Sequence, residues 1–276
     1  MSGTLNKPLF WRDARLPFVE LRQLQAGQGL CYAPHSHRQW SLGAITRGRS
    51  DFCYAGQTHA IETGDLVVIN PEWVHACNPL TSSAWGYWML YVDKDWLAQL
   101  RFQLGGLDQP VWEDFSTPVF RASQHHAAMC QVAETLVDVT VAVEEKEQQL
   151  VAFLARLLPD LKPVTNPASK PQGLLAVEAY LHASASLEVS LEDLCRVSGY
   201  SEGHLIRVFR QHLGLTPHAY LINRRVERGR QALQQGQPIA EAALLAGFSD
   251  QAHFQRTFKR LWAATPNQYR QALLQD

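Results

Sequence analysis

The sequence predicts an α+β chain of two domains: an N-terminal β-barrel or jelly roll carrying a helical hairpin, then an all-α domain with two helix-turn-helix units. Three observations carry this. Short apolar runs bounded by turn residues fill residues 18–92. From Ser123 the apolar spacing becomes helical. Between Leu194 and Tyr269 the chain repeats itself. A length of 276 residues suits two domains, and an apolar fraction of 46% supplies ample core.

In the first segment the apolar runs are Trp40 to Ile45, Leu66 to Ile69 and Trp88 to Val92. Arg47-Gly48, Ala55-Gly56-Gln57, Thr63-Gly64-Asp65 and Asn70-Pro71 punctuate them. Such regular spacing reads as a sandwich or barrel. Alternate strand residues share a face, so His35 and His37 can address one cavity. His75 would complete three nitrogen ligands for zinc or another first-row metal. The alternative is that His35, His37, Gln39 and His75 hydrogen-bond an organic effector. Trp40, Trp73, Trp85, Tyr87, Trp88 and Tyr91 read mainly as core, with some free to line a pocket. Cys31, Cys53 and Cys77 read as small hydrophobes, thiol sensing being the alternative.

From Ser123 to Leu158 two amphipathic stretches flank Glu144-Glu145-Lys146-Glu147, which predicts a helical hairpin at about 123–158. It either covers the barrel or forms a dimer interface, and its broad apolar face favours the dimer. Residues 1–158 are thus the expected first domain. Pro159 to Gln172 holds four prolines and no apolar period, and reads as a linker.

Residues 173–276 are the expected second domain. The first copy of its repeat reads Gly199-Tyr200-Ser201, His204-Leu205-x-Arg207-x-Phe209-Arg210, Thr216-Pro217-x-x-Tyr220. The second reads Gly247-Phe248-Ser249, His253-Phe254-x-Arg256-x-Phe258-Lys259, Thr265-Pro266-x-x-Tyr269. Helical spacing, a glycine stop, then a helix with Ser201 or Asp250 at its N-cap places helix-turn-helix motifs at about 191–213 and 239–262. The second helix of such a motif enters the DNA major groove. Base contacts are expected from Glu202, Gly203, Ile206, Arg207, Gln251, Ala252, Gln255 and Arg256. Phosphate contacts are expected from Arg210, Lys259 and Arg260. Leu205, Phe209, Phe254 and Phe258 should face inward, and His204 and His253 should be structural. Arg224, Arg225, Arg228 and Arg230 read as a further basic cluster on the connecting helix.

These residues resemble the DNA-binding domain of the AraC/XylS family of bacterial regulators, most fully in Ile239-Ala240-Glu241, Gly247 to Gln251, His253-Phe254, Arg256, Phe258-Lys259, Thr265-Pro266 and Tyr269-Arg270. Ala263, where the family usually has glycine, and Ala242, where isoleucine is common, are departures at packing positions. His35-x-His37, Gly64, Pro71 and His75 resemble the two-motif layout of a cupin, the usual N-terminal effector domain of that family; metal-binding cupins carry Glu where Gln39 stands. The resemblance implies a transcriptional regulator, whether activator, repressor or both. Its partners would be double-stranded promoter DNA, a small-molecule effector, RNA polymerase and a second copy of the chain.

Charge alone would not have revealed this. From Pro171 onward there are 11 Lys+Arg against 9 Asp+Glu, and 14 against 17 before it, within a net charge of −1. No signal pattern opens the sequence and no apolar run approaches about 18 residues, so a cytoplasmic protein without membrane partners is expected. Five cysteines without a CxxC pair point to reduced thiols. A metal-dependent cupin enzyme and a barrel that is only a scaffold are the competing readings, but an enzyme has no need of the DNA-binding half.

Overall fold

A computed structural model of the chain describes residues 8–27, 32–79, 84–121, 123–165 and 169–271. By backbone contacts the chain divides into two units. Met1–Leu30, His37–Trp73 and Cys77–Asn166 form one; Cys31–Ser36, Val74–Ala76 and Pro167–Asp276 form the other.

Nine strands are described: β1 (Leu9–Trp11), β2 (Val19–Gly27), β3 (Trp40–Arg47), β4 (Arg49–Tyr54), β5 (Gln57–Glu62), β6 (Leu66–Ile69), β7 (His75–Pro79), β8 (Trp85–Val92) and β9 (Val119–Phe120). Two sheets result, ordered β1-β2-β8-β3-β6-β9 and β5-β4-β7. Helices α1 (Lys94–Gln103), α2 (Ser123–Val137) and α3 (Val143–Leu157) complete the first unit.

The layers follow from period two. Leu21, Leu42, Leu66, Val68, Leu90 and Val92 share a core with Leu97, Met129, Leu136, Leu150, Phe153 and Leu157 of the helices. The alternate residues Leu24, Ile45, Val67, Ile69 and Tyr87 pack against Phe52, Tyr54 and Ile61 of the small sheet. Helices, large sheet and small sheet are therefore stacked, and the described strands form no closed barrel. Strands β3, β6 and β8 are apolar on both faces because both are covered, which is why their sequences read as continuous apolar runs. Of sandwich and barrel, the open layering is the one realised.

The hairpin buries on this sheet the broad apolar face on which the dimer expectation rested. Val139 at its tip is 94% exposed. The expected linker 159–172 opens as part of the first unit: a 3-10 turn over Leu158–Asp160, buried Leu161, and a bridge from Pro163 to Phe115.

The second unit holds α4 (Gln172–Ser184), α5 (Leu191–Ser198), α6 (Glu202–Leu213), α7 (Pro217–Gln234), α8 (Ile239–Leu245), α9 (Gln251–Trp262) and α10 (Pro266–Gln271). Leu174, Val177, Leu181, Leu194, Leu205, Val208, Phe209 and Tyr220 make the core of its first half. Phe248, Phe254, Phe258, Trp262 and Tyr269 form a run of ring contacts through the second, mostly tilted or edge-on.

Candidate functional site

Each recognition helix is set by its local sequence. Helix α5 opens on a capping box between Ser190 and Asp193 and closes on Gly199, whose φ of 72° suits the left-handed stop. Ser201 then occupies the N-cap of α6 without a side-chain cap bond. Asp250 caps α9 fully, accepting from the His253 N–H at 2.7 Å. That bond, chiefly, holds the Asp250 carboxyl below the usual carboxylate range.

Burial divides the two helices as the amphipathic pattern requires. Leu205, Phe209, Phe254 and Phe258 are fully buried. Glu202, Gly203, Arg207, Arg210, Gln251, Ala252, Arg256, Lys259 and Arg260 are exposed, and Ile206 and Gln255 are half-buried. Every residue expected to touch DNA is therefore on an outward or partly outward surface. His204 lies edge-on to Tyr200 and His253 edge-on to Phe248, with ring centroids 4.5 and 5.1 Å apart. These contacts brace the turn of each motif.

The basic cluster on α7 is corrected by burial. Arg224 and Arg230 are 3% and 2% exposed. Arg230 pairs with Glu227, donates to the Tyr269 hydroxyl at 2.9 Å and lies over Trp262. The Arg224 guanidinium lies 5.2 Å from the Tyr220 ring centroid. Arg225 donates to the carbonyls of Ala185 and Leu187. Only Arg228 of the four is exposed. Helix α7 packs against both helix-turn-helix motifs, so three of its arginines are internal ties. The i,i+3 Glu227–Arg230 spacing was the available sequence signal.

The histidines divide between the units. His35 and His75 exchange backbone hydrogen bonds of 3.1 and 2.9 Å, their ring centroids are 4.5 Å apart, and His35 Nδ1 bonds the Ala33 carbonyl. In the first unit, His37 Nδ1 bonds the Gln39 carbonyl at 2.9 Å, its Nε2 faces Ser41 Oγ at 3.4 Å, and its ring stands edge-on to Tyr91. A carbonyl only accepts, so Nδ1 carries the proton and Nε2 accepts from Ser41. Gln39 is half-buried. Among the described residues no three His, Cys, Asp or Glu side chains are grouped so as to hold a metal ion. Cys31 lies outside the described residues. Burial, with Cys53 nearby, pushes the Cys77 thiol up to about 12.

The face of the large sheet opposite the helices carries a polar row that sequence reasoning missed. Register aligns Glu20, Tyr91 and Ser41, and beside them Phe10, Arg22, Met89 and Gly43. Glu20, Arg22, His37 and Ser41 are each at most 3% exposed. Arg12 pairs with Glu20 at 2.7 Å, and the Arg22 guanidinium lies between the Phe10 and Tyr87 rings. Glu20 and Arg22 alternate with Val19 and Leu21, a pattern indistinguishable in sequence from a solvated strand face.

Two tandem helix-turn-helix motifs with outward cationic recognition helices define a DNA-binding protein. A sequence profile for the AraC-like ligand binding domain matches residues 18–157, and one for a helix-turn-helix domain matches residues 194–272. The chain belongs to the AraC family of transcriptional regulators. It is 28% identical to the HTH-type transcriptional regulator YbfI of Bacillus subtilis, over 79% of this chain and 80% of that one. It is 24% identical to the transcriptional activator RhaS of Pectobacterium carotovorum, over 87% and 88%. The fold is similar to ToxT of Vibrio cholerae, with a TM-score of 0.57 at 9% identity over 98% of both chains. ToxT has also been solved with an unsaturated fatty acid bound, a structure that matches with a TM-score of 0.55 at 10% identity over 96% of this chain and 93% of that one. Among the described residues no helix is long and apolar enough to cross a membrane.

Proposed function

We propose that this regulator is controlled by a small polar effector bound on the inner face of the large sheet, lined by Arg22, His37, Ser41, Tyr87 and Tyr91, with Trp85 beside them. The observation that carries it is the burial of this polar row on a sheet face otherwise lined by Leu24, Ile45, Val67 and Ile69. Trp85 adds a buried indole N–H with no hydrogen-bond partner among the described residues. A buried donor left so costs about 1–3 kcal/mol, which an acceptor on a ligand would recover. The guanidinium of Arg22 and the Tyr87 ring suit an effector with an anionic or hydroxyl-rich end and a flat or apolar body. His37 of the sequence-predicted set is part of this site, with the Gln39 carbonyl orienting its ring.

The base-reading and phosphate residues named above engage promoter DNA as a homodimer in the cytoplasm, and the protein activates transcription through RNA polymerase. The name of RhaS as an activator supports this direction. Effector binding shifts DNA affinity only by its preference between two conformations.

Thermal-shift titration with a panel of small hydroxy acids and sugars tests the site, using wild type, Trp85→Phe and Ser41→Ala. A stabilising shift in wild type that shrinks in both variants is expected. An undiminished shift in both variants would place the effector elsewhere.

A further inference from the structure

The two halves of the DNA-binding unit have separate cores joined by α7, yet a DNA site is read at one spacing only if the halves are held at a fixed angle. One segment of the first half reaches the second. The turn after α4 is closed by a bond from Leu187 N–H to the Ser184 carbonyl at 2.9 Å. Arg225 of α7 grips it with two donations, Nε to the Ala185 carbonyl at 2.9 Å and a terminal nitrogen to the Leu187 carbonyl at 2.8 Å. Gly247, in the turn between α8 and α9, meets the same residues. With φ at +83°, a Cβ there would lie 2.8 Å from Ser186 Cα and 2.9 Å from its carbonyl oxygen. The glycine is what allows the second motif to rest on the backbone of this turn.

We infer that Arg225 is a positioning residue which, by clamping the 184–187 turn against Gly247, sets the spacing at which the two recognition helices read DNA. The guanidinium fork suits this because its two donors are fixed relative to one another, which an ammonium on a flexible stem cannot match. The lever is long enough to matter. A twelve-residue α9 is roughly 18 Å long, so a tilt of about ten degrees moves its far end by about 3 Å, close to the ~3.4 Å step of one base pair.

The test is selection of binding sites from a random duplex library by the full chain, comparing wild type with Arg225→Met and Arg225→Lys. Wild type should enrich two short elements at a single separation. Arg225→Met should enrich the same two elements with separations spread by a base pair on either side, and Arg225→Lys should narrow that spread in part. A single, unchanged separation for Arg225→Met would overturn the inference, as would loss of one element altogether, which would make Arg225 a support of the first motif only. If circular dichroism shows that Arg225→Met does not fold, Gly247→Ala takes its place. Its Cβ displaces the same turn from the other side, so retention of the wild-type separation there is equally fatal. Failure of wild type to enrich any paired element would count against two-motif reading itself, which is a separate result.

Discussion

Replacing Tyr269 by Phe isolates one bond of the internal tie that joins α7 to α10. Tyr269 is fully buried, and its hydroxyl accepts from Arg230 at 2.9 Å. The Phe ring keeps the packing on Phe258 and Trp262, whose centroids lie 5.6 and 5.8 Å away. What disappears is an acceptor for a buried cation. A hydrogen bond to a charged group contributes about 1.5–3 kcal/mol, and removing the acceptor adds the cost of the stranded N–H. With Glu227 still bonded to the other side of Arg230, a loss near 2 kcal/mol is expected. Urea unfolding of the full chain followed by far-UV circular dichroism, which reports mainly the helices, should show the helical transition moved to lower denaturant with its slope unchanged. The shift should be insensitive to salt, because the pair is shielded from solvent. Glu227→Gln should cost more, about 3–5 kcal/mol, since it leaves a buried charge unpaired. A Tyr269→Phe loss below ~0.5 kcal/mol would refute the view that this network holds the second half together.

Ala263 sits in the left-handed region with φ of 45°, where the first copy has Gly214 at 68°. Ala263→Gly should therefore stabilise the helical unit by about 0.5–1 kcal/mol, the relief of left-handed strain exceeding the entropy gained by the unfolded chain; a lower melting temperature would contradict this. Arg256→Ala should relax base preference at one position of the selected site, whereas Arg260→Ala should weaken all sequences alike and flatten the dependence of binding on salt by about one ion. Uniform weakening by Arg256→Ala would remove its base-reading role. The carboxyls of Asp193 and Asp250 are depressed by the bonds they accept in their caps, from Ser190 for the first and chiefly from the His253 N–H for the second. Their folded pKa values lie below the unfolded value of about 3.9, so their contribution is complete above that pH and lost as pH falls through the folded values. Helicity should accordingly be flat near neutrality and, for Asp250→Asn, less sensitive to acid than in wild type. Exposed Cys53 should be alkylated by iodoacetamide at neutral pH well before Cys77, whose thiol stays protonated; equal rates would argue against that burial.

Much of the DNA-binding half was legible because its signals are local. Glycine stops, an N-cap aspartate and a 3.6-residue apolar period each depend on neighbours a few positions away, and together they fix which side of α6 and α9 faces out. The arginines of α7 were misread for the opposite reason. A guanidinium on an amphipathic helix looks the same in sequence whether it meets phosphate or a Glu227 carboxylate and a Tyr269 hydroxyl, and only tertiary packing decides which. The same holds in the first unit. Continuous apolar runs in β3, β6 and β8 announced buried strands, but not that helices would cover one face and a second sheet the other.

What the sequence determined by itself is therefore the order of elements, the repeat and the outward residues of the recognition helices, all consequences of short-range periodicity. Only the tertiary structure decided that His35 and His75 pair while His37 turns to Ser41 and Tyr91. It likewise decided that Glu20 and Arg22 are interior, and that the 184–187 turn meets Gly247. Each of those facts depends on strand register or on contacts across tens of residues, and no local pattern of side chains encodes the partner at the far end.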